Sequence, residues 1–163
     1  MKTLKRRRRE HKTDYLKRIK LLKSGKPRIV FRRTNKYILA QYVISKEARD
    51  KIKTSANSKN LLKYGWPEKS KGSLKSIPAS YLTGFLMGRK IVREKLESPI
   101  IDLGMIRSLH KTKVYAFLKG LTDSGISIQC GEETFPDKER IEGKNLKNKI
   151  DFDLIKSQIE KND

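Results

Sequence analysis

"RIVFRRTNKYILAQYVI", residues 28–44, holds two runs rich in β-branched and aromatic residues on either side of Asn35-Lys36. Such runs joined by two residues predict a β-hairpin, although Lys36 stands where a two-residue turn favours glycine. Within the first run Ile29, Phe31 and Arg33 alternate with Arg28, Val30 and Arg32, so one face of the hairpin is partly basic. A poorer third strand is expected around "DKIKTSA" (50–56).

Downstream, Ser76 caps a helix with Pro78 in its first turn and Tyr81, Leu82, Phe85, Leu86, Ile91 and Val92 as its apolar positions. The small residues Ala79, Ser80, Gly84 and Gly88 suggest that it packs closely on a sheet. "PIIDLG" (99–104) then reads as a strand reached by a crossover, hence parallel to the hairpin. A second helix runs from Thr112 to a Gly125 stop, and Phe152, Ile155 and Ile159 mark a short peripheral helix in the tail. The pattern is that of an α/β domain with a mixed β-sheet, an antiparallel hairpin plus a parallel strand, and crossover helices.

Upstream of the hairpin the chain changes character. "KRRRREHKTDY" (5–15) sets five cations in a row and has no apolar periodicity, the composition of an arm that is disordered when free. Thr13 is placed to cap a helix with Tyr15, Leu16, Ile19 and Leu22 on one stripe and Lys17, Lys20 and Lys23 opposite, ended by Gly25 and Pro27. That stripe is expected to lie on the domain. The organisation is therefore a basic arm (1–12), an α/β domain (13–128) and a C-terminal extension (129–163).

The 163 residues include 40 Lys and Arg against 18 Asp and Glu, a formal net charge of +22. Residues 1–36 carry 16 of those cations and 2 acids, whereas 129–163 carry 7 cations and 9 acids. Such a surplus repels itself in a compact state and makes sense beside a polyanion. Arginine serves this purpose well, because its planar fork donates two hydrogen bonds to one phosphate. A membrane surface is a weaker partner for want of a basic amphipathic helix with large exposed apolar groups. The longest apolar stretch, "ASYLTGFLMG" (79–88), is too short to span a bilayer, and no apolar segment follows the basic N-terminus as in a signal peptide. With a single Cys130 no internal disulfide forms, and a reducing cytoplasm is expected.

Catalytic patterns are missing. One Cys and two His, His11 and His110, give no metal-ligand spacing, and no GxSxG, Walker or GxGxxG pattern occurs. A metal-dependent nuclease, the alternative function for a basic α/β chain, wants three or four converging carboxylates. The strands offer Glu47, Asp50 and a solitary Asp102. Residues 57–76, rich in Lys, Ser and Gly, read as a long loop. In it Trp66 has two readings, a stacking platform for an unpaired base or a plug over the core.

Several blocks together resemble a known family: "RRRREHKTDYLKRIKLLKSGKPRIVFRRTN", "YGW", "PASYLTGFLMGRK", "IIDLG", "KVYAFLKGLTDSGISI" and "GEETFPDKERIEG". They are similar, in the same order from residue 5 to about 145, to the archaeal and eukaryotic branch of the L-eighteen family of large-subunit ribosomal proteins, called L-five in eukaryotes. The resemblance implies a three-layer α/β domain with a basic arm, no catalytic activity and no cofactor. It implies binding of 5S rRNA and its docking onto large-subunit rRNA in the central protuberance, among neighbouring large-subunit proteins in the cytoplasmic ribosome. Matching motifs place the contacts at Arg6, Arg7, Arg8, Arg9, Lys12, Thr13 and Tyr15, at Arg32, Arg33, Thr34 and Asn35, and at Lys111, Thr112 and Lys113. Lys5, His11, Arg18, Lys36 and Lys71 complete the candidate set. This chain departs from the family's pattern at His11 and Lys111, where related sequences commonly have glycine, and at Gln129 and Cys130, where they tend to have Pro-His; of these, Lys111 bears on the backbone shape of its loop.

Overall fold

The computed structural model describes residues 3–47, 49–146 and 148–161. Strands β1 (Arg28–Arg33), β2 (Ile38–Lys46), β3 (Arg49–Asn57) and β4 (Ile100–Asp102) form one sheet in the order β3-β2-β1-β4. The β1–β2 and β2–β3 pairs are antiparallel, with Phe31 opposite Ala40 and Tyr42 opposite Thr54. The β4 strand runs parallel to β1, with Ile101 beside Ile29, so the sheet is mixed as expected.

The first hairpin turns over four residues, 34–37, rather than two. Thr34 closes it, since its backbone N–H and hydroxyl both donate to the Tyr37 carbonyl at 2.9 Å while its hydroxyl oxygen accepts from the Tyr37 N–H. Without glycine at Lys36 the tight turn is disfavoured, and the threonine side chain supplies the missing closure.

Ile29, Phe31, Ala40 and Tyr42 project from one face into the core. Covering them are α3 (Ile77–Arg93) and α4 (Lys113–Asp123). Ser76 caps α3 by accepting from the Ala79 N–H, and Gly125, at φ +102°, ends α4 through the left-handed turn that glycine allows. Val92, expected in the apolar stripe of α3, is half exposed near the helix end instead.

The small residues of α3 serve a different neighbour from the one expected. A β-carbon on Gly84 would collide with the Phe117 carbonyl of α4, and one on Gly120 with the Tyr81 carbonyl of α3. The glycines therefore let two helices cross at backbone contact, rather than letting a helix approach the sheet. The Ser80 hydroxyl donates to the Lys113 carbonyl at 2.5 Å, and the Tyr81 hydroxyl to Asp123 at 2.7 Å, tying the start of α3 to both ends of α4.

Residues 57–76 are ordered into two 3-10 segments, Ser58–Tyr64 and Glu68–Ser73. Leu61, Trp66 and Leu74 of this stretch drop into the core, and the Trp66 indole N–H donates to the Ser70 carbonyl at 3.1 Å. Trp66 is 2% exposed, so it is the plug and not a stacking platform. The tail contributes α5 (Lys138–Glu142) and α6 (Phe152–Lys161). Ile141, Phe152, Ile155 and Ile159 join the main core, with the Phe152 ring 5.3 Å from that of Tyr81.

Candidate nucleic-acid interface

The arm begins with a helical turn, α1 (Arg6–Arg9), so it is not featureless. Four arginines in one turn repel, and local acceptors offset that repulsion. Arg6 faces Glu10 at 3.7 Å, Lys12 pairs with Glu10 at 2.9 Å, and Arg8 lies 3.8 Å from Asp14. Arg7 Nε donates to the Thr13 hydroxyl at 2.9 Å, and Lys5 Nζ sits 4.7 Å over the Tyr15 ring. Each is an exposed contact worth ~0–1 kcal/mol, readily exchanged for a phosphate. His11, at φ +52°, reverses the chain after α1.

Asp14, not Thr13, caps α2 (Tyr15–Lys23), its carboxylate accepting from the Leu16 and Lys17 N–H groups. Thr13 is occupied by Arg7. The apolar stripe of α2 is also not where the periodicity puts it: no residue of the helix is buried, Leu16 is 75% exposed and Ile19 49%. Polar links hold α2 to the molecule instead. Arg18 pairs with Asp50 at 3.0 Å, and Lys17 Nζ donates to the Gly104 carbonyl at 3.4 Å.

Those links lead to the face of the sheet opposite the core. Arg28, on β1, is 2% exposed, with Asp50 at 2.7 Å and Asp102 at 3.9 Å. The alternation that suggested a basic face is real, but its first member is enclosed by acids and unavailable to a partner. Burial pushes the Asp50 carboxyl up, yet hydrogen bonds from Ser45 and Arg18 and the charges of Arg28 and Arg18 together hold it below the usual carboxylate range. Arg32 reaches the same neighbourhood, donating to the Phe31 and Asp102 carbonyls at 2.7 and 3.3 Å. Between arm, α2 and Arg32 lies a narrow polar cleft of about 100 Å³, with Arg7, Lys12 and Arg18 in its wall.

Arg33 points the other way. With Lys111, Thr112 and Lys113 it lines a second, larger cleft. Burial lowers the Lys113 ammonium below its ordinary value, and the nearby charges of Arg33 and Lys75 lower it further. Lys111, at φ +56°, donates its N–H to the Thr134 carbonyl and lies 3.4 Å from Asp137. The strand β1 and its turn, with Thr34, Asn35 and Lys36 exposed, thus connect two basic clusters on opposite sides of the sheet. Lys71 stands outside both, paired with Glu68 at 2.9 Å.

Arg107, Arg140 and Lys75 join the second cluster without having been singled out in the sequence. Arg107 lies four residues before Lys111, in the same connection between β4 and α4. Arg140 comes from the acidic tail and is brought there by α5.

Among the described residues no three His, Cys, Asp or Glu side chains gather as metal ligands. The two sheet carboxylates that do converge, Asp50 and Asp102, do so on Arg28, whose charge occupies the space a cation would need. Among the described residues no helix is long and apolar enough to cross a membrane.

A mixed α/β sheet carrying cationic side chains on both sides of one strand defines a polyanion-binding domain. Residues 1–99 match the model of the family described as "Ribosomal large subunit proteins 60S L5, and 50S L18", and the chain belongs to that family of large-subunit ribosomal proteins. It is 45% identical over 141 residues to the large ribosomal subunit protein uL18 of Korarchaeum cryptofilum, covering 86% of this chain and 70% of that protein. It is 40% identical to the uL18 proteins of Methanococcus maripaludis, over 96% of this chain and 81% of the other, and of Methanoregula boonei, over 93% and 86%. The expected family is thereby established.

Proposed function

We propose that this protein binds 5S rRNA and helps dock it onto large-subunit rRNA in the central protuberance, as a structural and non-catalytic component of the cytoplasmic ribosome. Support comes from the family together with one geometric observation: β1 and its turn bear Arg32 toward the arm and Arg33 toward the 111–113 loop, so one strand and its turn join every group of candidate contacts except Lys71. RNA helices are recognised by shape, phosphates and 2′-hydroxyls, which suits two cationic clusters set apart on a rigid sheet. Neighbouring large-subunit proteins are the remaining partners.

Competition between 5S rRNA and unrelated rRNA of equal length, across a salt series, tests the reading. About 6–10 phosphate contacts predict a fall in affinity of ~10³–10⁵ between 50 and 200 mM salt, with the preference for 5S rRNA surviving. Equal binding of both RNAs at physiological salt overturns it, as would cleavage of the RNA on adding Mg²⁺.

A further inference from the structure

The cleft around Lys113 combines features that a phosphate-backbone contact alone does not require. It measures about 490 Å³, inside the ~300–1,000 Å³ spanned by small-ligand sites. Its floor is apolar: Phe31 and Val114 are core residues, and Ile77 and Ile106 are half-buried beside them. Met105 and Leu109 stand at its mouth, 42% and 49% exposed. Around this floor are the cations Arg33, Arg107, Lys111 and Lys113. Lys111 has Asp137 nearby, whereas no carboxylate among the described residues pairs with Arg33, Arg107 or Lys113.

We infer that this cleft seats one unpaired nucleotide of RNA, its base against Met105, Leu109 and the apolar floor and its phosphate among Arg33, Lys113 and Arg107. An apolar peptide finds apolar area here but gains nothing from unpaired cations. A duplex backbone finds the cations but cannot use the floor. An extruded nucleotide uses both, because every base presents an apolar π-face and every nucleotide carries a phosphate. Burial first, and then repulsion from Arg33 and Lys75, depresses the affinity of Lys113 for its proton; an arriving phosphate relieves the second of these. The inference rests on the RNA-binding reading above and adds the part of the RNA that this face takes.

The test uses the full chain labelled at its methionine methyls. Of three methionines, Met105 lines the cleft, and Met87, fully buried in α3, is the internal control. Adenosine 5′-monophosphate should shift the Met105 methyl and leave Met87 unmoved, adenosine should need about tenfold more, and inorganic phosphate should not reproduce the shift. A still Met105 resonance at millimolar nucleotide overturns the inference, as does an equal shift from phosphate or from a glutamate-rich peptide. In the complete RNA, Met105→Ala with Leu109→Ala should weaken 5S rRNA binding roughly 5- to 100-fold, because the apolar side chains that the base covers are lost, with the salt slope unchanged. Wild-type binding by that variant also overturns it. Should the Met105 shift persist while 5S rRNA shows no advantage over unrelated rRNA, the nucleotide seat stands and the 5S assignment falls.

Discussion

Arg28 shows how little a residue's type says about its task. It is as cationic as Arg32 and Arg33, yet it lies enclosed between Asp50 and Asp102, with its Nε and one terminal nitrogen making no hydrogen bond. Removing one partner of such an arrangement leaves a buried charge less compensated. Asp50→Asn should therefore cost about 1–3 kcal/mol in urea unfolding, below the ~3–5 of a fully buried pair because Asp50 is partly exposed and Asp102 remains. The same carboxyl titrates below its unfolded value of ~3.9, so its stabilisation is present above that pH and is lost as pH falls through the lowered folded value. Wild type should lose stability below about pH 4 more steeply than Asp50→Asn.

Lys113 carries the opposite sign. Its folded proton affinity is lowered, so at neutral pH its charge opposes folding of the free protein, and that cost fades as pH rises through the lowered value. Lys113→Met should raise the melting temperature of the free chain while weakening RNA binding and lowering the salt slope by ~0.7–0.9 of a unit. His11 and Lys111 hold left-handed backbone that costs an L-residue ~1–2 kcal/mol, partly offset because glycine is more flexible when unfolded. His11→Gly and Lys111→Gly should each stabilise the free chain by up to about 1 kcal/mol in thermal melts.

Among elements, the α3–α4 crossing bears the closest tolerances. Gly84 and Gly120 meet backbone carbonyls of the opposing helix, which cannot rotate away as a side chain can. Gly120→Ala should destabilise by about 1–3 kcal/mol, measured by denaturant midpoint, by forcing the helices apart. Helix α2 is the contrasting case. Its periodicity was legible, but Leu16 and Ile19 face outward because Arg18 and Lys17 anchor the other side to Asp50 and Gly104. A stripe tells that a helix has an apolar face and not which surface meets it. Strand β3 was similarly faint in the sequence because, as an edge with most residues exposed, it has little apolar alternation to show.

For the whole molecule, the arm dominates electrostatics while the core lies elsewhere. Changing Arg6, Arg7, Arg8 and Arg9 together to Ala should flatten the salt dependence of RNA binding by up to about 3 units and leave the melting temperature near wild type, since none of these side chains is buried. Calorimetry beside filter binding separates the two effects.

What the sequence determined by itself was local: the hairpin, the parallel strand after a crossover, the capped helices and a cationic N-terminal run, each encoded by neighbouring residues through backbone preference and charge. What only tertiary structure decided was pairwise: that Arg28 is enclosed, that Trp66 plugs the core, that Leu16 and Ile19 of α2 face outward, and that Arg140 of an acidic tail joins Arg33 and Lys113. Burial and proximity belong to pairs of surfaces distant in the chain, and no periodicity within one segment reports the surface it will meet.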